Sequence, residues 1–360
     1  MFLVVLDAGM DFINCSLWVF YYLTIILLSS PVILWLYKEL TMGICRSRAS
    51  MKGKVVLITG GSNGIGFETA VDLAKRGAQL IIGCRKTQGV DKKIQQEAPG
   101  AVVDVIKLDL SSNSSIRDFA DKVLAKYDSI DVLINNAGIV NALDGPVARK
   151  ETEDGFELVM ATNYLGHSLL NHLLLDTIKT SGNNGDSFSR IILVSSIAVV
   201  GPEALDLCTL DSSGSYRVNF DLDGNENDSR RQYSKTKLAQ IMYMKHLSRT
   251  LKRENCNTIV SALHPGFVRT DILDGFPKKA QNFVKLLGYL TGKTPLQGAQ
   301  TTINLAVSDF DNALDTINGK LFSDCRQKFW WQSKIPKIVE DEKACKVVWD
   351  ETMRVLGFDS

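Results

Sequence analysis

Tyr233 and Lys237 stand four residues apart in Tyr233-Ser234-Lys235-Thr236-Lys237. On a helix that spacing puts both side chains on one face. A free phenol has a pKa of about 10, too high for ready proton exchange at neutral pH. A lysine ammonium nearby favours the phenolate and lowers that value. The pair therefore reads as a proton donor or acceptor tuned by a neighbouring charge, as general acid–base catalysis requires. An exposed Tyr–Lys pair on a helix surface is the competing reading. Upstream, the two hydroxyls of Ser195-Ser196 close an apolar run that begins at Ile191.

A second chemical signal lies nearer the front, in Thr59-Gly60-Gly61-Ser62-Asn63-Gly64-Ile65-Gly66. The β-branched run Val55–Thr59 predicts a buried strand. Phe67, Ala70, Val71 and Ala74 then recur at helical spacing. A strand, a glycine-rich turn and a helix N-terminus together make an anion site. Unpaired N–H groups and the positive end of the helix dipole face a phosphate, and missing side chains let a pyrophosphate approach. The spacing is G-x-x-x-G-x-G rather than G-x-G-x-x-G. A tight turn without a ligand would use similar residues.

The elements that must carry these groups alternate for more than 200 residues after Lys54. Apolar runs predict strands at Val55–Thr59, Gln79–Gly83, Val102–Leu108, Val132–Asn135, Ile191–Ser195 and Thr258–Ala262, with a weaker one at Lys320–Ser323. Helical patterns lie between them, at 66–76, 113–127, about 152–180, 232–253 and 296–307. Such alternation implies an α/β fold, a parallel sheet with helices on both faces. Ligands in these sheets bind beyond the C-terminal strand ends.

The remaining motifs fall at those ends. Arg85 and Lys86 follow the second run, where an NAD site often carries an acid for the ribose 2′-hydroxyl. A base there could pair a 2′-phosphate, which favours NADP(H); NAD(H) is the alternative, with Arg85 a solvated loop charge. Asp109-Leu110 follows the third run, and its carboxylate could accept from an adenine amino group, cap a helix or stand ahead of the Ser111-Ser112-Asn113 turn. Asn135-Asn136-Ala137-Gly138 follows the fourth, where a glycine lets backbone approach a ligand, as it would in a plain turn.

Composition narrows the classes. A net charge of +1 in 360 residues gives no reason to expect nucleic acid. Seven scattered cysteines form no C-x-x-C pair, so neither a zinc site nor a disulfide framework is suggested. Four histidines include one i,i+5 pair, poor metal-ligand spacing, and no metal is expected.

Phe12 to Tyr37 contains no charged residue. About 20 apolar residues cross a bilayer as a helix, and Trp18, Tyr21, Tyr22, Trp35 and Tyr37 suit its interfaces. A cleaved signal peptide would start with basic residues, whereas Asp7 and Asp11 stand here. An uncleaved anchor over 1–37 is therefore expected, with 38–53 as linker. Lys38, Arg46, Arg48, Lys52 and Lys54 downstream place the following domain in the cytosol.

In order along the chain, Thr59-Gly60-Gly61-Ser62-Asn63-Gly64-Ile65-Gly66, Asn135-Asn136-Ala137-Gly138, Asn163, Ser196, Tyr233-x-x-x-Lys237 and Pro265-Gly266 resemble the short-chain dehydrogenase/reductases over roughly 52–325. Asn163-Tyr164-Leu165-Gly166-His167, His264-Pro265-Gly266 and Lys293-Thr294-Pro295 are similar to the retinol-dehydrogenase-like branch. That branch often carries an N-terminal membrane segment. The resemblance implies a Rossmann-type doubly wound parallel sheet of about seven strands over 54–325, and hydride transfer between nicotinamide and an alcohol or carbonyl carbon. By position, Tyr233 would exchange the substrate proton, Lys237 would lower its pKa and bind the nicotinamide ribose, and Ser196 would hold the substrate oxygen. Asn163 would hold a water linking Lys237 to solvent. Pro265, Gly266 and Val268 would contact the carboxamide, with Thr270 nearby. The resemblance also allows a homodimer.

Two features depart from the family pattern. Ser196 and Tyr233 are 37 residues apart, and the insert holds Asp206, Asp211, Asp221, Asp223, Glu226 and Asp228. It could cover the cleft or be a solvated excursion. Residues 329–335 lie in a C-terminal extension, 326–360, packed on the domain or near the membrane. The expected protein is a single-pass, cytosol-facing oxidoreductase for a lipophilic retinoid-, steroid- or isoprenoid-like substrate, in the endoplasmic reticulum, lipid droplets or mitochondria. A luminal enzyme and a catalytically silent scaffold of the same fold are the rivals.

Overall fold

A computed structural model of the chain describes residues 33, 36, 38–140, 151–184, 188–220, 229–270, 288–289, 292–309, 313–327 and 333–358. Strands covered by helices on both faces must be apolar at nearly every position. Val55–Thr59 (β1), Gln79–Cys84 (β2), Val103–Lys107 (β3), Val132–Asn135 (β4), Ser189–Val194 (β5) and Thr258–His264 (β8) meet that condition to differing degrees, and Leu321–Ser323 (β9) adds an edge. They pair in parallel in the order β3-β2-β1-β4-β5-β8-β9. The chain winds outward from β1 to β3, then returns to place β4 on the other side of β1. The reversal opens a crevice beyond the C-terminal ends of β1 and β4, where such sheets take ligands.

The pleat sends alternate residues to two cores. Leu57, Ile81, Leu133 and Ile191 point to one, filled also by Phe119 of α3 (Asn113–Leu124), Leu169 and Leu170 of α4 (Gly166–Asn184) and Leu238 of α5 (Ser229–Arg253). Val56, Ile58, Leu80, Ile82 and Ile134 point to the other. There Ala70 and Leu73 of α1 (Gly64–Lys75), Ile94 of α2 (Val90–Glu97) and Ile303 of α6 (Pro295–Val307) complete it. Each such aliphatic side chain contributes about 1.5–3 kcal/mol when fully buried.

Two additions close over the first core. The front of the insert forms 3-10 turns over Ile197–Val200 and Pro202–Leu207 and an antiparallel hairpin of Cys208–Leu210 (β6) with Tyr216–Val218 (β7). Ala204, Leu207, Cys208 and Phe220 are buried there and anchor this part of the insert to the core, while the hairpin turn 212–215 is exposed. The C-terminal helix α7 (Glu342–Val355) lies on α5. Trp349 stacks on Tyr243 at 4.9 Å, Thr352 hydrogen-bonds the Tyr164 hydroxyl at 2.6 Å, and Tyr216 donates to Asp341 at 2.7 Å. The remaining insert acids Asp221, Asp223, Glu226 and Asp228 lie outside the described residues, as do Trp330 and Trp331.

The anchor expected over 12–37 also lies almost wholly outside the described residues. Among those described, no helix is long and apolar enough to cross a membrane. The linker that follows is docked. Gly43 N–H donates to Asp324 at 3.1 Å, and Cys45 N–H donates to Gln300 at 3.0 Å.

Candidate active site

The glycine turn after β1 adopts the shape an anion cradle needs. Gly60 and Gly64 have φ of 70° and 59°, in the left-handed region that side chains disfavour. Asn63 caps α1, its side chain accepting from Gly64 N–H at 2.8 Å. The Cys84 thiol at the end of β2 donates to the Lys86 carbonyl at 3.2 Å, with Ser62 beside it. A Cβ on Gly66 would sit 2.4 Å from Asn136 Nδ2, so only glycine lets α1 start this close to the loop after β4.

That loop is bound to the turn through Thr59. Asn136 Nδ2 donates to the Thr59 and Gly60 carbonyls at 2.9 and 3.3 Å. Thr59 Oγ1 accepts the N–H groups of Asn136 and Ala137 at 3.0 and 3.1 Å. It also lies 2.9 Å from His167 Nε2. His167 Nδ1 lies 3.0 Å from the Asn163 carbonyl, which can only accept. Nδ1 therefore carries the proton, and the Thr59 hydroxyl donates to Nε2. Complete burial holds this imidazole neutral, its pKa pushed down to about 4. Asn163 in turn grips the backbone after Gly138, accepting from Ile139 N–H at 2.8 Å and donating to its carbonyl at 2.9 Å.

Tyr233 and Lys237 face this network from α5. Lys237 Nζ sits 5.5 Å from the Tyr233 ring centre and 3.7 Å from where a Cβ on Gly138 would be. It donates to the Val194 carbonyl at 2.9 Å and to Gln240 Oε1 at 3.3 Å. Gln240 Nε2 donates to the Asn163 carbonyl at 2.8 Å. Burial without a carboxylate partner lowers the Lys237 pKa to about 7. Tyr233 is half-buried, and burial raises its pKa more than the neighbouring Ser196 lowers it. The expected net depression of the phenol by Lys237 is thus not what the protein alone displays. Of the serine pair, Ser195 is committed to the backbone, donating to the Lys237 carbonyl at 3.1 Å. Ser196 is the partly exposed one beside Tyr233.

The loop after β8 covers the glycine turn from the other side. Thr270 Cγ2 would be 3.2 Å from a Cβ on Gly64, and Val268 and Ile65 converge on Gly298 at the start of α6. Pro265 accepts from Lys293 Nζ at 3.1 Å. Lys293 is also paired with buried Asp324 at 2.5 Å. Gly266 takes a φ of 93° beside it. At the far end, Arg85 is exposed and lies close enough to Asp109 to stabilise its carboxylate. Asp109 accepts from Ser111 N–H and Oγ at 3.0 and 2.6 Å, so it does serve a turn, while Leu110 is buried.

The residues fit a nicotinamide dinucleotide. A backbone cradle that side chains would fill lies at one end, and a hydroxyl–amine pair lies at the other. Among the described residues no group of His, Cys, Asp or Glu could hold a metal. Reasoning from sequence missed Gln240 and the part played by Thr59 and His167. His167 carried a signal only as the last residue of the Asn163-Tyr164-Leu165-Gly166-His167 run. Gln240 carried none.

Known proteins resemble this chain in sequence and in fold. Residues 54–205 match the family model described as short chain dehydrogenase. Mouse retinol dehydrogenase 13 is 36% identical over 322 residues, 88% of this chain and 87% of that protein. Human retinol dehydrogenase 11 is 36% identical over 328 residues, 89% of this chain and 91% of that protein. Among solved structures, an uncharacterised protein from Mycobacterium paratuberculosis superposes with a TM-score of 0.61 at 24% identity, covering 89% of this chain and all but 1% of its own (99%). A 3-ketoacyl-(acyl-carrier-protein) reductase from Brucella melitensis complexed with NADH superposes with a TM-score of 0.55 at 22% identity, over 76% of this chain and 96% of its own.

Proposed function

The chain belongs to the short-chain dehydrogenase family, and from that premise we propose that it is an NADP(H)-dependent oxidoreductase for a lipophilic alcohol/carbonyl pair of retinoid, steroid or isoprenoid type. That it is an NAD(P)-dependent oxidoreductase acting on CH–OH groups follows from the family and the retinol dehydrogenase relatives. One observation carries the mechanism: Tyr233, with Ser196 beside it, stands next to a buried amine that lies against Gly138 in the loop after β4.

Gly60, Ser62, Asn63, Gly64, Ile65 and Gly66 would hold the pyrophosphate, with Asp109 and Leu110 near the adenine. Asn136, Ala137, Gly138, Pro265, Gly266, Val268 and Thr270 would enclose the nicotinamide end. Bound there, the dinucleotide supplies or accepts the hydride. Tyr233 gives its phenolic proton to a substrate carbonyl oxygen in reduction and takes it back in oxidation. Ser196 donates to the same oxygen and stabilises charge developing on it. Lys237, as ammonium, opposes the burial that raises the phenol pKa and so makes the exchange feasible near neutral pH. Asn163 holds the wall opposite Lys237.

NADP(H) preference rests on Arg85, which would meet a 2′-phosphate with charge-assisted hydrogen bonds. The lipophilic substrate rests on the apolar stretch 12–37, which would hold the crevice beside a bilayer where such molecules concentrate. The domain would face the cytosol, so the sequons at Asn113 and Asn227 should carry no glycan, read as an unchanged gel mobility after glycosidase. The test of function is a screen of full-length protein in detergent against lipophilic aldehydes and ketones, followed by cofactor absorbance with each nicotinamide. Equal turnover of small water-soluble carbonyls, with no gain from membrane-borne ones, would overturn the substrate assignment.

A further inference from the structure

Lys237 has three N–H bonds and two fixed acceptors. Val194 supplies one, a backbone carbonyl at the end of β5. Gln240 supplies the other from the next turn of α5. The Gln240 amide is itself buried, with 1% of its surface exposed, and its nitrogen is bound to the Asn163 carbonyl at 2.8 Å. That carbonyl also accepts from His167 Nδ1 at 3.0 Å. A carbonyl oxygen has two lone pairs. Two side chains thus converge on that oxygen. The Gln240 amide spans the gap between it and Lys237, with its oxygen on the amine and its nitrogen on the carbonyl.

We propose that Gln240 is a positioning residue for the proposed reaction, clamping Lys237 between α5 and the Asn163 turn and setting how strongly its charge is held. The inference rests on Tyr233 and Lys237 acting as the reading above assigns them. Its chemistry follows from the inventory of neighbours. Tyr233 lies on the same helix. His167, from α4, is neutral and adds no charge. From β5 only the Val194 carbonyl reaches the amine. With no carboxylate contributing to its titration, the amide oxygen of Gln240 is, among the described residues, the one side-chain acceptor holding the ammonium. Because it spans two helices, the same amide fixes where the third N–H points.

The test is the pH profile of kcat for carbonyl reduction in full-length protein with two substitutions, Gln240→Met and Gln240→Glu. Methionine keeps the length and removes the acceptor; glutamate adds a charge at the same place. The alkaline limb reports loss of a proton from the coupled Tyr233–Lys237 pair. Gln240→Met should move that limb down by about one pH unit, the size expected for losing one hydrogen bond to a charged group. Gln240→Glu should move it up. Cofactor binding, read by fluorescence, should change less than threefold in both. Limbs that stay at the wild-type position in both variants, even with a reduced kcat, would reduce Gln240 to packing and overturn the inference. Should Gln240→Met fail to fold, the direction of the Gln240→Glu shift decides alone. Tyr233→Phe measured alongside keeps the two readings apart, because full activity there removes the underlying mechanism whatever Gln240 does.

Discussion

Thr59 and His167 lie 108 residues apart in sequence and 2.9 Å apart in space, between the end of β1 and the first turn of α4. Through that contact the glycine turn, the loop after β4 and the Asn163 turn are held as one rigid wall of the crevice. Thr59 already accepts two backbone N–H groups, so it has a proton to give His167 and little capacity to take one from it.

Acid should therefore loosen this wall. Burial depresses the pKa of His167 and His264 to about 4, and of His246 to about 4 at the α5–α7 contact. Between pH 6.5, the unperturbed value for histidine, and about 4, the unfolded chain binds more protons than the folded one. Stability should fall as pH drops through that window. Thermal melting across pH 4–7 checks this, and His167→Gln, which cannot charge, should melt with a shallower acid slope than the wild type.

Lys293 and Asp324 form a buried pair at 2.5 Å that joins three segments. Lys293 holds the Pro265 carbonyl, and Asp324 holds Gly43 of the linker. Removing one partner strands a buried charge, which typically costs about 3–5 kcal/mol. Lys293→Met or Asp324→Leu should each lower the denaturant midpoint accordingly. The double variant should lose less than either single one, because no lone charge remains. Equal or greater loss in the double variant would contradict this account.

Arg85 is exposed at the end of β2, close enough to Asp109 to influence it. Arg85→Ala should raise KM for NADPH by about tenfold or more, the scale of one charge-assisted contact, and leave KM for NADH within about twofold. Steady-state kinetics with both cofactors checks it, and an unchanged NADPH KM would remove the NADP(H) assignment.

How far the sequence disclosed this arrangement depends on what each residue must do. β1 and β4 are read to the residue because a strand buried on both faces is written as an apolar run. β5 begins two residues earlier than its run, at Ser189-Arg190. Arg190 is polar in sequence but buried in the fold, its guanidinium donating to the Leu305 carbonyl at 2.7 Å. The helix Glu342–Val355 is hidden by its polar face. Its buried stripe of Ala344, Cys345, Val348 and Thr352 is small and broken, and becomes recognisable only once Tyr243 and Tyr164 are placed against it. The glycine turn, Asn136, Ser196, Tyr233 and Lys237 were legible because their types and spacing are chemical. Gln240 was not, since a glutamine one turn after a lysine is ordinary on a helix surface. Only tertiary burial makes it a clamp.

The central claim is that the Tyr233 hydroxyl, beside the Lys237 ammonium, carries the proton. Tyr233→Phe removes one oxygen atom and keeps the ring. Single-turnover reduction of a lipophilic aldehyde, with cofactor binding measured in parallel by fluorescence, tests this directly. The account predicts a fall in rate of about a hundredfold or more with cofactor affinity within a few-fold of wild type; turnover at the wild-type rate in that variant would contradict it.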